Sequence, residues 1–255
     1  MSADKTVIFI TGASRGIGRG LAEAYLARPD HIVIGSVRDT SSASVDSLKA
    51  VKAASGSSLQ IVKIEAKSDT DPFEAVKAIQ AAGITYLDIV IANSGISGSY
   101  SRLDAANIQD FREYLEVNAV GPLVLYKAVF PLLKAAVDKK RTAPKFLGIT
   151  TNASSIQNVE ENVPYLLGNY GASKAALNYI VRRLSFENKW LTAFLMNPGF
   201  VQTDMGNDGA KFFGMEKAFH TIEYSVNGIT KKLDESTPES TSGNFYDIDG
   251  KELLF

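Results

Sequence analysis

Cysteine is absent from the 255 residues. That excludes disulfides, thiolate nucleophiles and cysteine-ligated metals. Histidine is scarce. His31 and His220 stand far apart, and no acidic cluster with ligand spacing accompanies either, so no metal site is expected. A surplus of one charge is also lacking: 27 lysines and arginines face 28 aspartates and glutamates, a formal net charge of -1. Proteins that grip a phosphate backbone carry a basic excess, so no nucleic acid partner is expected. Nor is polybasic attachment to a membrane. No run of about eighteen apolar residues occurs, which argues against a transmembrane helix. The N-terminal stretch carries Asp4 and reaches a glycine-rich turn after a few apolar residues, unlike a signal peptide. A cysteine-free chain fits a reducing compartment, and a cytoplasmic location is expected. No Pro/Gly/Ser-rich linker divides the chain, so 1–255 reads as a single domain, long enough to bury a core without staples.

What is present is an alternation of two periodicities. Thr6–Ile10 is a β-branched apolar run, the mark of a strand buried on both faces. From Ile17 to Ala27 the pattern turns helical, and Pro29-Asp30 stops it. Further strands are expected at His31–Val37, Leu59–Ile64, Tyr86–Ala92, Phe146–Thr151, Leu191–Met196 and Asn244–Ile248. Helices are expected at Val45–Ala54, from Asp71-Pro72 to Ala82, at Ile108–Val137, Tyr170–Glu187 and Phe219–Leu233. Asp138-Lys139-Lys140-Arg141 and Glu160-Glu161 read as solvated loops. Strands alternating with helices give βαβ units and an α/β fold. The expectation is a Rossmann-type, doubly wound parallel sheet of seven strands flanked by helices. In such sheets ligands bind at the carboxyl ends of the strands.

The motifs fall at those ends. Thr11-Gly12-Ala13-Ser14-Arg15-Gly16-Ile17-Gly18 follows the first strand and opens the first helix. Its glycines let the backbone approach a pyrophosphate at a helix N-terminus. The second strand ends Gly35-Ser36-Val37-Arg38. An NAD site wants a carboxylate there for the ribose 2′-hydroxyl. Ser36 stands in its place, with Arg38 nearby and Arg15 in the phosphate loop. This favours a 2′-phosphate and hence NADPH/NADP+, with Asp39 the contrary datum. Asn93-Ser94-Gly95 follows the fourth strand. Tyr170 and Lys174 stand at i and i+4 on one helix face, where an ammonium would lower the phenol pKa and suit it to general acid work. About one such pair is expected by chance in this composition, so its weight comes from its company.

That company resembles the short-chain dehydrogenase/reductase family. TGASRGIG, Asn93-Ser94-Gly95, Val117-Asn118-Ala119-Val120-Gly121-Pro122, Tyr170-Gly171-Ala172-Ser173-Lys174 and Asn197-Pro198-Gly199-Phe200-Val201-Gln202-Thr203 occur in that family's order and spacing. The likeness covers nearly the whole chain. Within the family it looks most like the fungal norsolorinic acid ketoreductases, through 186–194, 201–206 and the terminal Asp249-Gly250-Lys251-Glu252-Leu253-Leu254.

The resemblance implies an oxidoreductase acting on a small-molecule ketone, with roles residue by residue. Tyr170 would donate the proton. Lys174 would bind the nicotinamide ribose and depress the Tyr170 pKa, and Asn118 would hold a water in a proton relay. Gly12, Ser14, Arg15, Ile17 and Gly18 would hold phosphates, Asn93 the adenosine ribose, and Val201 and Thr203 the carboxamide. One departure stands out. The family's serine lies thirteen residues before the tyrosine, where this chain has Gln157. Strand register points to Thr151 as its substitute, similarity to the ketoreductases points to Ser154, and Ser155 follows behind.

Residues 204–219 match the family's substrate lid, with Gly206, Gly209 and Gly214 as hinges and Phe212, Phe213 and Met215 as apolar cover. Val124, Leu125, Val129, Leu132 and Leu133, with Ala175, Leu177, Ile180 and Val181, leave two helices apolar over more than one face. With the family's habit, this points to a homodimer or homotetramer. The reading is an NADPH-dependent ketoreductase of a bulky, aromatic or polyketide-type ketone. The alternatives are an alcohol dehydrogenase working oxidatively and a non-catalytic dinucleotide sensor.

Overall fold

A computed structural model describes residues 5–140 and 142–255. The first half alternates β1 (Thr6–Thr11), α1 (Gly16–Leu26), β2 (His31–Val37), α2 (Ala43–Lys49), β3 (Ser58–Lys63), α3 (Asp71–Ala81) and β4 (Ile89–Ala92). Then come α4 (Ile108–Leu115), a π-helical turn at Glu116–Val120, α5 (Gly121–Lys140) and β5 (Lys145–Ile149). The rest is α6 (Val159–Asn162), α7 (Gly168–Glu187), β6 (Thr192–Met196), α8 (Asp204–Phe212), α9 (Ile222–Glu235), β7 (Phe245–Tyr246) and β8 (Glu252–Leu253).

One sheet runs in the order β3-β2-β1-β4-β5-β6-β7-β8. All neighbours pair in parallel except β8, which returns antiparallel to β7. The strand period of two sorts side chains to opposite layers. Val7 and Phe9 join Val90, Phe146, Leu125, Val129 and Leu177 in one core, under α3, α5 and α7. Ile8 and Ile10 join Ile91, Phe194, Leu21, Tyr25 and Ile229 in the other, under α1 and α9. The winding reverses between β1 and β4, which opens a crevice at their carboxyl ends.

The doubly wound expectation holds, with eight strands rather than seven. The extra strand follows a turn in which Gly250 N donates to Asp247 O and Asp247 N donates to Lys251 O. Its Asp249-Gly250 pair is a hairpin signal legible in the sequence. The long helix expected at 108–137 is two helices joined by the π-helical turn, an insertion typical of functional positions. Asp138, Lys139 and Lys140 are helical rather than looped. Lys139 and Lys140 sit in the last turn of α5, where cations oppose the helix dipole; Arg141 lies outside the described residues. Glu160 and Glu161 likewise belong to α6. By length and composition the stretch Ile108–Lys140 could cross a membrane. Its apolarity serves the core instead: Leu125, Val129, Leu132, Leu133 and Ala136 are buried against the sheet layer. That burial also corrects the interface reading, because Leu125, Val129, Leu132, Leu133, Leu177 and Val181 are covered within the chain.

Candidate active site

The turn after β1 is built by close backbone approach. Gly12 and Gly16 adopt φ of +70° and +57°, where a side chain is strained. A Cβ on Gly18 would lie 2.3 Å from Gly12 O and 2.5 Å from Asn93 Nδ2, so α1 starts against the loop as only glycine allows. Thr11 joins this loop to the end of β4. Its hydroxyl accepts from Asn93 N at 2.9 Å and Ser94 N at 3.0 Å, and its carbonyl accepts from Asn93 Nδ2 at 2.8 Å. Ala13 N donates to Ser36 O at 3.0 Å, which brings the end of β2 alongside. Ser14 and Ile17 are half-buried, and Arg15 is exposed and paired with Asp204 at 2.9 Å. A small cavity beside the loop is lined by Thr11, Ile64, Ala66, Ala92, Ser94 and Val117. The glycine cradle at a helix N-terminus suits a dinucleotide's phosphates.

Ser36 is buried and Arg38 exposed at the end of β2. The Asp39 carboxylate is turned into its own loop. One oxygen accepts from Ser41 N at 2.9 Å and Ser41 Oγ at 2.6 Å, and these bonds hold the carboxyl below its usual pKa.

Across the crevice, α7 presents Tyr170, Lys174 and Asn178 at successive i+4 positions. The buried Lys174 Nζ donates to Ile149 O at 2.8 Å, at the end of β5. Burial lowers its pKa from 10.5 to about 8. Burial also pushes the Tyr170 phenol above its ordinary value, and the phenols of Tyr100 and Tyr114 push the same way. Burial and the neighbouring phenols thus act on Tyr170 in the direction opposite to the depression expected from Lys174. Asn118 emerges from the π-helical turn fully buried. Its Oδ1 accepts from Ile96 N, and its Nδ2 donates to Ile96 O and Ser173 Oγ, all within 3.0 Å. A Cβ on Gly95 would meet Asn118 Oδ1 at 3.1 Å and Lys174 Nζ at 3.2 Å, so the strand-end glycine gives these two groups their common space.

The candidate hydroxyls lie on a short helical turn, Asn152–Ser154, after β5. Thr151 is half-buried and caps that turn, its Oγ1 accepting from Ala153 N at 3.3 Å. Ser154 is buried; its hydroxyl donates to Thr151 O at 2.5 Å and accepts from Asn178 Nδ2 at 2.8 Å. Ser155 is buried too and accepts from Asn158 N.

Val201 is buried and pairs with His220, and Thr203 caps α8 by accepting from Gly206 N at 3.1 Å. Gly206 and Gly209 lie inside α8 rather than acting as hinges. A Cβ on Gly206 would strike Val201 O at 1.9 Å, and one on Gly209 would reach Tyr100 Oη at 2.8 Å. Between α8 and its neighbours lies an aromatic cluster. Tyr100 stacks on Phe212 at 4.4 Å and meets Phe213 edge-on, and Phe213 also meets Tyr165. Tyr114 lies edge-on to Tyr170 at 6.5 Å.

The family model described as short chain dehydrogenase matches residues 6–211. The chain belongs to that family. It is an oxidoreductase of a family that uses nicotinamide dinucleotides. Among its relatives, a norsolorinic acid ketoreductase of Dothistroma septosporum is 43% identical over 94% of this chain and 89% of its own length. A short-chain dehydrogenase of Neurospora crassa is 44% identical over 98% of each chain. The NADPH-bound carbonyl reductase from chicken fatty liver superposes with a TM-score of 0.84 at 26% identity, over 98% of this chain and 99% of its own. Reading the sequence missed Tyr100, Tyr114 and Asn178. Two of them carried a signal: Tyr114 stands four residues before Asn118, and Asn178 four after Lys174.

Proposed function

We propose that the protein is an NADPH-dependent ketoreductase that converts a bulky, aromatic or polyketide-type ketone to a secondary alcohol. The observation that carries this is the placement of Tyr170 and the buried Lys174 one helical turn apart on α7, with Lys174 Nζ bonded to the end of β5 beside the dinucleotide cradle. Bound NADPH supplies the hydride. Gly12, Ser14, Arg15, Ile17 and Gly18 would face its phosphates, Asn93 its adenosine ribose, Lys174 its nicotinamide ribose, and Val201 and Thr203 its carboxamide. Arg15 and Arg38, with Ser36 at the strand end, favour the 2′-phosphate. Asp39, next to Arg38, is bonded by Ser41.

Tyr170 gives its proton to the carbonyl oxygen as the alcohol forms. Thr151 is the second donor in this reading. The Ser154 hydroxyl hydrogen is engaged by Thr151 O, whereas the Thr151 hydroxyl only accepts from backbone and keeps its hydrogen for substrate. Asn118 fixes the Gly95–Ile96 backbone beside Lys174, where a water could return a proton to the pair. Ser36 and Arg38 at the end of β2 weigh against an alcohol oxidation linked to NAD. The presence of both Tyr170 and Lys174 argues against a pure sensor. Tyr100, Tyr165, Phe212 and Phe213 offer flat apolar faces to an aromatic ketone, and the relative's name, norsolorinic acid ketoreductase, agrees.

The reading includes a homo-oligomer. Leu123 and Phe130 on α5, with Tyr179 and Phe186 on α7, remain exposed on the two helices whose apolarity points to a homo-oligomer. It also includes the cytosol as compartment, on the cysteine-free composition. The test is cofactor consumption across a panel of aliphatic, aromatic and polycyclic ketones, with NADPH and NADH in parallel. The reading expects turnover with a kcat/KM that favours NADPH. Equal or NADH-favouring ratios overturn the cofactor assignment. Tight NADPH binding without turnover on any ketone would favour the sensor.

A further inference from the structure

Asn178 sits one helical turn beyond Lys174 on α7 and belongs to no motif read from the sequence. It is 3% exposed, and both polar atoms of its amide are hydrogen-bonded. Thr150 Oγ1 donates to Asn178 Oδ1 at 2.6 Å, and Asn178 Nδ2 donates to Ser154 Oγ at 2.8 Å. Both hydroxyl hydrogens are thereby assigned, since Ser154 Oγ donates to Thr151 O. The same Thr151 carbonyl also accepts from Ser154 N at 3.0 Å. With Lys174 Nζ on Ile149 O, α7 grips three consecutive residues at the end of β5: Ile149, Thr150 and, through Ser154, Thr151. Helix and turn are in backbone contact as well, because a Cβ on Gly171 would lie 2.5 Å from Ala153 O.

We infer that Asn178 is a positioning residue, whose amide clamps the Thr150–Ser154 turn to α7 and so fixes the Thr151 hydroxyl relative to Tyr170. The inference rests on the ketoreductase reading for its catalytic consequence and on the hydrogen bonds alone for its structural one. The two donors to the carbonyl oxygen come from different elements, Tyr170 from α7 and Thr151 from the end of β5. Nothing in either element's own hydrogen bonding sets their separation. A neutral amide that donates to one hydroxyl and accepts from another can hold both ends, and it does so in a buried place where an unmade bond is costly. Misplacement of a reacting group by about 1 Å can cost on the order of 100-fold in rate. Thr150 and Ser154 anchor the turn internally before the chain leaves through α6.

The test uses the full-length N178L and N178D enzymes. N178L fills the space and removes both bonds. Its NADPH dissociation constant and KM for NADPH should stay near wild type, while kcat on the best ketone falls roughly 10- to 100-fold. Amide exchange at Ser154 and Ser155 should accelerate, with β1 and β2 unchanged. N178D, when protonated, keeps one acceptor for Thr150 and one donor for Ser154. Its kcat should approach wild type at acid pH and fall as the carboxyl ionises, a titration absent from the wild type. Should N178L fail to fold, this profile still decides. The inference is overturned by N178L with kcat within twofold of wild type, by exchange unchanged at Ser154 and Ser155, or by loss of NADPH affinity in step with kcat. A wild type that reduces no ketone sinks the reductase reading, while the exchange comparison still decides the clamp.

Discussion

Substituting Gly18 by alanine probes the cofactor cradle with one methyl group. The new Cβ would lie 2.3 Å from Gly12 O, 2.9 Å from Gly12 C and 2.5 Å from Asn93 Nδ2. Two of these atoms are backbone and cannot rotate away, so the loop or the start of α1 must move by about 1 Å to reach ordinary contact. Overpacking of this kind costs about 1–3 kcal/mol. The displaced Asn93 amide also loses its 2.8 Å bond to Thr11 O, worth about 0.5–1.5 kcal/mol. The sum is about 1.5–4.5 kcal/mol, or a fall in Tm of roughly 3–18 °C for a chain of this size. Because the shift falls on the phosphate loop, NADPH affinity should drop by far more than stability alone explains. Gly83→Ala is the control. That glycine has φ +90° with nothing within 4 Å of a Cβ, so it tests backbone strain alone, about 1–2 kcal/mol, with no effect on cofactor. Thermal denaturation and NADPH titration by fluorescence read both quantities. A Gly18→Ala protein with unchanged Tm and NADPH affinity within threefold of wild type would refute the cradle.

Other expectations follow from the same geometry. Thr151→Ala should lower kcat about 100-fold or more, the cost of an oxyanion donor, and Ser154→Ala should lower it less; the reverse order in steady-state kinetics would return the role to Ser154. Reduction needs the Lys174 ammonium and the Tyr170 phenol. Burial lowers the lysine to about 8 and raises the tyrosine, so kcat/KM should be level at neutral pH and fall as pH rises through about 8; a profile level to pH 10 would remove Lys174 from the proton path. Sedimentation at micromolar concentration should give a mass above the 27.5 kDa chain; a species at that mass would end the homo-oligomer proposal.

The layered sheet was legible because its strands are continuous β-branched runs that only burial on both faces explains, as in Val7–Ile10 and Val33–Ile34. The cradle was legible because glycine at 12, 16 and 18 has no other common purpose between a strand and a helix. Boundaries were less so. Tyr86–Asp88 lies outside β4, although Leu87 N donates to Leu132 O and Asp88 N to Val7 O. Apolarity alone does not show which backbone groups pair. The π-helical turn at Asn118 was not legible, since a single inserted residue only shifts the phase of the helical pattern in a stretch that is apolar over much of its surface. The competing hydroxyls could not be separated by counting. What distinguishes Thr151 from Ser154 is the destination of one hydroxyl hydrogen, which depends on a residue 24 positions away, Asn178. The burial that acts on Tyr170 was not legible for a related reason: an i+4 ammonium is a sequence feature, whereas burial is a property of the assembled crevice.

The central claim is that Tyr170 delivers the proton in ketone reduction, and Tyr170→Phe tests it most directly because it removes the hydroxyl and keeps the ring. Single-turnover rates with NADPH on the wild type's best ketone should fall at least about 100-fold, with NADPH affinity and Tm unchanged. A Tyr170→Phe enzyme that binds NADPH normally and turns over near the wild-type rate would contradict the account.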